Sequence, residues 1–153
     1  MSGLEFVVDQ NGKGSYLTIA NAVKAAYAGS TVKVRPGTYR ESVVLDGAVE
    51  LVADGEAGTV VLETTGMPAI VIQSGSPMIR GLTVRTRSTT VWGPAVFVSG
   101  GTPLIESCAV TSTNGVGLEV RGADADPMVL DVKIDASAGG ILVHANGKGT
   151  FER

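Results

Sequence analysis

The chain has 153 residues, of which 44% are hydrophobic and only 5% aromatic, and it contains 21 glycines. Its formal charge of −3, with no run of basic residues, argues against a nucleic-acid partner. The single cysteine excludes an internal disulfide and a multi-cysteine metal site, and the aliphatic side chains and frequent glycines favour many short strands joined by turns.

The first thirty residues predict one helix in front of a β domain. The N-terminal segment MSGLEFVVDQ has neither the basic nor the apolar region of a signal peptide, and no apolar run is long enough to cross a bilayer. On this basis we predict a cytoplasmic protein with no membrane partner. The apolar residues of SYLTIANAVKAAYAGS recur at helical spacing, which predicts a helix over residues 16–28 that stops at Gly29.

Strand-like alternation begins after this helix. The segment TVKVRPGTYRESVVLDGAVELVADGEAGTVVLE alternates apolar and polar residues between Pro-Gly and Asp-Gly turns. We therefore predict a single domain over 1–153, with β coils from 31 to 153. The helix would cover the first coil, because the end of a stack of strands otherwise exposes unpaired backbone and core side chains.

Two later segments are near copies of each other. Pro68–Val84 reads PAIVIQSGSPMIRGLTV, and Pro94–Val110 reads PAVFVSGGTPLIESCAV. Looser copies cover residues 116–134 and 140–153, and equivalent positions recur every 22–26 residues. A repeat of this length with two or more short strands and no helix predicts a parallel β-helix, in which each repeat forms one coil.

Alternation along the strands assigns each residue to the inside or the outside of the coil. The predicted interior contains two aliphatic columns, namely Ile70, Val96, Leu118 and Ile141, and Ile72, Val98, Val120 and Val143. The step from Ile79 to the next inward residue, Leu82, is three residues rather than two. This step predicts a bend at Arg80–Gly81, where the coil turns a corner.

The N-terminal third also resembles a known family. The lead-in GKGSYLTI, the predicted helix and the segment VRPGTYRESV are similar to the N-terminal part of the right-handed parallel β-helix proteins of the pectin-lyase-like superfamily. The later Pro-x-Ile-x-x-Leu-x-Val units look like the generic repeats of that superfamily. The resemblance implies an all-β, right-handed parallel β-helix with an N-terminal capping helix, as a module of a larger bacterial protein of the actinobacterial type.

The catalytic motifs of the superfamily are missing from the sequence. The chain lacks the Gly-x-x-Asp-Phe-Ile-Phe-Gly signature of the pectin methylesterases. Asp124 and Asp126 are the nearest match to calcium-binding carboxylates, but their Gly-Ala-Asp-Ala-Asp-Pro context is more simply a turn. Glu106 and Glu152 take equivalent outward positions two coils apart, and Arg80 beside Glu106 is the expected ion-pair partner. We therefore predict no catalytic residue, no metal ligand and no cofactor, and we lean against an enzyme.

Neither of the two remaining nucleophile or base candidates favours covalent chemistry. Cys108 falls on an inward column, so it is interpreted as a small buried hydrophobic residue. The single histidine, His144, falls in an outward column, where we predict a solvated ring with no Ser, Cys or Asp to orient it.

A binding surface is then the remaining candidate site. Beside the core ladder lies an outward column with three apolar residues in four, namely Val71, Phe97, Glu119 and Leu142. The nearby segment TRSTTVWGP carries the only tryptophan beside two arginines, and exposed aromatic and arginine side chains are enriched at binding hot spots. The predicted binding set is Val71, Trp92, Phe97, Leu142, Arg85 and Arg87. In the alternative, this loop folds back and Trp92 covers the apolar column.

The last repeat breaks off partway. Phe151 aligns with the inward residues Ile105 and Val129, but no residue follows at the inward position of Cys108. Such a coil exposes apolar side chains and unpaired strands, which predicts either a longer protein, the option we favour, or cover by another chain.

The leading functional hypothesis is a non-catalytic scaffold or recognition module that binds a protein partner and self-associates through this open coil. The alternative is a carbohydrate-active or carbohydrate-binding protein of the pectin-lyase-like type, with a saccharide ligand.

Overall fold

The chain winds into a parallel β-helix in the computed structural model, which describes residues 4–89 and 93–152. The strands form three sheets, here called A, B and C, with seven, five and five strands. Every pair of neighbouring strands is parallel. Each of the five complete coils contributes one strand to each sheet in the order A, B, C, and sheet A has one further strand at each end, which confirms the fold class predicted from the repeats.

The strands are short and recur in a regular order. Sheet A contains β1 (Glu5–Val8), β2 (Thr31–Val34), β5 (Glu50–Ala53), β8 (Met78–Arg80), β11 (Leu104–Glu106), β14 (Met128–Leu130) and β17 (Thr150–Glu152). Sheet B contains β3 (Gly37–Tyr39), β6 (Val60–Thr65), β9 (Thr83–Arg87), β12 (Ala109–Thr113) and β15 (Lys133–Ala136). Sheet C contains β4 (Val43–Leu45), β7 (Ile70–Ile72), β10 (Pro94–Val98), β13 (Val116–Arg121) and β16 (Gly139–His144). Helix α1 (Ile19–Ala25) lies between β1 and β2, and no helix in the described ranges has the length and hydropathy to span a bilayer.

The core consists of aliphatic ladders that run along the axis of the solenoid. In sheet C both predicted columns are confirmed and gain a first member, Val43 in one and Leu45 in the other. The ladder of sheet A runs through Phe6, Val32, Leu51, Ile79, Ile105, Val129 and Phe151. Because coils stack about 4.8 Å apart, an inner side chain with a coil on both sides contacts its counterparts above and below and is removed from water.

The predicted corner between sheets A and B is confirmed by the backbone. Gly81, Ser107 and Asp131 occupy it in three successive coils, and their φ angles are +80°, +53° and +52°. A positive φ reverses the local direction of the chain and is easiest for glycine. Cys108, which directly follows the corner residue Ser107, is buried, and this burial raises the pKa of its thiol to about 11. The thiol is therefore protonated at neutral pH, as expected of a buried hydrophobic residue.

The helix is shorter than the predicted 16–28. Tyr16 forms a β-bridge with Val8, so that it belongs to the first coil rather than to the helix. Thr18 is the N-cap, and its hydroxyl accepts a hydrogen bond from the Asn21 N–H at 3.2 Å. At the other end Ala26 is extended, with φ −75° and ψ 153°. Helical spacing extended beyond both ends because Tyr16 and Ala26 pack against the core outside the helix, whereas Leu17 and Tyr27 are exposed.

The coils also begin earlier than the predicted residue 31. Strand β1 pairs with β2 over four residues, from Glu5 opposite Thr31 to Val8 opposite Val34. A four-residue strand separated from the repeats by a helix has no periodic partner in the sequence, so its place in sheet A could not be read from spacing.

Helix α1 covers the core at this first coil, as predicted. Its residues Ile19 and Ala22 are completely buried against the coil. The Glu41 carboxylate, in the loop between β3 and β4, accepts hydrogen bonds from the Ile19 N–H at 2.9 Å and the Ala20 N–H at 2.7 Å. These two backbone donors have no partner within a helix, so Glu41 fixes the helix start to the first coil.

One inward column is polar, unlike the two aliphatic columns predicted for the interior. Thr64, Thr86 and Ser112 are buried and stack in sheet B. The Thr64 hydroxyl donates to the Met67 carbonyl at 2.7 Å and accepts from the Thr86 hydroxyl at 2.9 Å. The hydroxyls of Thr64 and Thr86 are tolerated inside because they bond to each other and to the carbonyl at the corner, whereas the buried Ser112 hydroxyl has no hydrogen-bond partner among the described residues.

Candidate functional site

The outward apolar column is present on sheet C and is longer than predicted. Val44 precedes the four predicted residues, and the register then runs through Val71, Phe97, Glu119 and Leu142. Val44 is exposed, whereas the other four are half-buried. Val44 was missed because its repeat, which contains β2, β3 and β4, differs most from the two near copies.

The structure divides the predicted binding set between two sheets. Val71, Phe97 and Leu142 lie on sheet C, but Arg85 and Arg87 point outward from β9 in sheet B. Trp92 lies outside the described residues, so neither of the two predictions for its loop is tested. Proximity along the chain suggested one surface, but the corner between the sheets separates the arginines from the apolar column.

The two arginines line a polar groove on the outer face of sheet B. The groove has a volume of about 280 Å³ and is lined by Glu63, Thr64, Thr65, Arg85, Thr86, Arg87, Thr111 and Thr113. The Glu63 carboxylate lies 3.3 Å from the Arg40 guanidinium and 3.8 Å from that of Arg85. Arg87 forms no ion pair with any residue in 4–89 or 93–152, so its charge is available to an anion in the groove.

The histidine is not isolated, which corrects the prediction for it. His144 Nε2 lies 2.6 Å from an oxygen of the Glu119 carboxylate on the neighbouring strand. Glu119 stands opposite Leu142, two residues before His144, so the contact is a diagonal one across two coils. The sequence alignment compared only directly opposed residues and therefore missed it.

A second outward apolar column was also missed. Met78, Leu104 and Met128 stack on the outer face of sheet A. Each follows the proline of its repeat, in SPMIR, TPLIE and DPMVL, and this common position was the signal that could have identified the column.

Carboxylates do not cluster into a centre on the described part of the chain. Glu106 and Glu152 are separated by Leu130 in one column, as predicted, and Arg80 Nε lies 2.5 Å from Glu106. In the Asp124–Asp126 turn the backbone pairs with Gly101 of the preceding coil, whose N–H donates to the Asp124 carbonyl at 2.8 Å. Within residues 4–89 and 93–152, no three acidic, histidine or cysteine side chains are grouped as metal ligands would be.

Inward side chains are most exposed at the last strand of each sheet. These strands, β15, β16 and β17, follow one another in the chain and are here called the terminal coil. Its inward residues Ile141, Val143 and Phe151 are 42%, 41% and 38% exposed. Their counterparts one coil earlier, Leu118, Val120 and Val129, are 3%, 0% and 4% exposed. Among residues 4–89 and 93–152, the terminal coil therefore presents core side chains and a strand edge without a partner on all three sheets.

Comparison with known proteins extends the description only at the level of the fold. No protein-family model matches the chain, and no curated protein matches its sequence. Among solved structures it is similar to a pectin methylesterase from carrot, with 13% identity and a TM-score of 0.44 over 87% of this chain. The similar region spans 63% of the carrot chain.

Proposed function

We propose that this chain is a non-catalytic recognition module that associates with a second copy of itself through the terminal coil. The observation that carries this proposal is the exposure of Ile141, Val143 and Phe151. Contiguous apolar surface beside unpaired strand edges is a template for pairing with another chain. Added strands supply the backbone hydrogen bonds, and the inward side chains supply the apolar contact.

The opposite end of the solenoid limits how copies can join. Helix α1 buries Ile19 and Ala22 over the first coil, and Glu41 holds the helix in place. A terminal coil cannot stack on that end without displacing the helix. Association through terminal coils therefore uses the same surface on both copies, which gives a closed dimer rather than a filament.

Val143→Lys should convert the dimer to a monomer in sedimentation velocity experiments. The substitution places a charge on the apolar contact surface, where its desolvation opposes association. Val44→Lys is the matched control, because Val44 is the same residue type, has a similar exposure of 47%, and lies on sheet C at the far end of the solenoid.

Both variants should keep the β-rich circular dichroism spectrum of the parent. A parent chain that is monomeric across the accessible concentration range would contradict the proposed function. So would a Val143→Lys variant that associates as strongly as the Val44→Lys variant.

A second candidate function is the binding of an acidic saccharide in the groove of sheet B. It is supported by the guanidinium groups of Arg85 and Arg87 beside the hydroxyls of Thr65, Thr111 and Thr113. A guanidinium binds a carboxylate through two parallel hydrogen bonds, and hydroxyls can bond to the sugar.

Arg87→Ala should weaken the binding of an oligogalacturonate by about tenfold or more in calorimetric titration, since the charge-assisted contact is lost. Arg121→Ala removes an exposed arginine from sheet C and should leave the affinity unchanged. No heat with the parent chain, or equal losses in the two variants, would rule out saccharide binding in this groove.

A further inference from the structure

The terminal coil has the shape of a ramp. Its strands follow in the order β15, β16 and β17, and each lies further along the solenoid axis than the one before. Since one full coil advances about 4.8 Å, the ramp rises ~3 Å between β15 and β17. A second copy must match this slope if all three sheets are to be paired at once.

A two-fold axis through the middle strand matches the ramp to itself. Rotation about an axis that crosses β16 brings the lowest strand, β15, against the highest strand of the partner, β17. The two terminal coils are then separated by a constant gap around the whole circumference. An axis through β15 would leave sheet B too far apart for strand pairing while the other two sheets meet, and an axis through β17 would bring only sheet A together. Strands related by this axis are antiparallel, which is a favourable ladder geometry.

The faces of the strands then fix the register. Inward residues must meet inward residues, so the axis has to pass through a residue of β16 and not between two residues. With Leu142 on the axis, it meets the partner's Leu142 outside, and Ile141 meets the partner's Val143 inside. Between β15 and the partner's β17, the inward pair is Ile134 with Phe151.

The outward residues of β15 and β17 carry complementary charges in this register. When Ile134 opposes the partner's Phe151, Lys133 opposes the partner's Glu152, and Asp135 opposes the partner's Thr150. A shift of two residues would put Asp135 against Glu152, which is repulsive. Within the described residues neither Lys133 nor Glu152 has an ion-pair partner in its own chain.

We infer that two copies of this chain join end to end about a two-fold axis through β16, with Lys133 of each copy opposite Glu152 of the other. This inference rests on the proposed function and names its geometry. Each dimer contains the Lys133–Glu152 contact twice, so that reversing one charge replaces two attractions by two repulsions.

Charge exchange tests the geometry in the full chain by sedimentation velocity. Lys133→Glu alone and Glu152→Lys alone should each raise the dimer dissociation constant by about tenfold or more. The double variant Lys133→Glu/Glu152→Lys should return it to within about threefold of the parent value, because opposite charges again face each other. The alternative rescue, Lys133→Glu/Asp135→Lys, should remain weak.

The outcomes separate this inference from the function on which it rests. A parent chain that never dimerises ends both. A dimer that Val143→Lys abolishes, but that charge exchange leaves unchanged, keeps the proposed function and overturns the two-fold arrangement through β16. Rescue by Asp135→Lys instead of Glu152→Lys also overturns it, since Lys133 would then face Asp135 of the partner rather than Glu152.

Discussion

Leu118→Ala should lower the free energy of unfolding by about 3 kcal/mol, whereas Ile141→Ala should lower it by less than about 1 kcal/mol. The two residues are direct neighbours in one inward ladder of sheet C, but Leu118 is 3% exposed and Ile141 is 42% exposed. Truncation of Leu118 leaves a cavity between Val96 and Ile141, which the stacked backbones cannot close. Ile141 contacts its ladder on one side only, so water fills the space that its side chain leaves.

Urea unfolding at low protein concentration measures both values in the monomer. At higher concentration Ile141→Ala should weaken the dimer more than Leu118→Ala does, because Ile141 lies on the proposed contact surface and Leu118 does not. Equal losses of unfolding free energy would mean that the terminal coil is as well covered as the interior, and this would remove the basis of the proposed function.

Gly100→Ala should lower the free energy of unfolding by about 2–3 kcal/mol, because the added methyl group has no space. A Cβ at this position would lie 2.2 Å from the Gln73 carbonyl oxygen of the preceding coil. The atom in the way belongs to the backbone, so relief requires the two coils to move apart, which disturbs the ladder on either side.

Gly47→Ala is the matched control, since Gly47 lies two residues after Leu45, just as Gly100 lies two residues after Val98 in the same column. A Cβ on Gly47 meets no atom within 4 Å, and neither glycine has a positive φ. We expect a change within about 0.5 kcal/mol for the control in the same urea titration. If both substitutions are neutral, the coils can separate locally without cost, and the close stacking at Gly100 is not a source of stability.

Much of the solenoid could be predicted because its information is local and repeated. The side-chain period of two places Ile70 and Val96 inside and Val71 and Phe97 outside, whichever sheet they join. Repetition then aligns equivalent positions, so that even the pairing of Phe151 with Val129 in the last repeat was predicted correctly.

The sites were less predictable, because they depend on corners and on contacts between coils. The arginines Arg85 and Arg87 are close in sequence to the apolar column, but a corner places them on another sheet. The Glu119–His144 contact is diagonal between strands, and the exchange of hydroxyl bonds by Thr64 and Thr86 depends on their stacking inside sheet B.

The sequence by itself determined that this chain coils, which aliphatic side chains of the later repeats line the coil, and that a helix covers its first turn. Only the tertiary structure decided where the corners other than the one at Arg80–Gly81 fall, that β1 precedes the helix in sheet A, and which polar groups meet. The physical reason is that alternation along a strand follows from backbone geometry alone. The direction of the chain at a corner depends on a few φ angles, such as those of Ser107 and Asp131, which residue type does not determine.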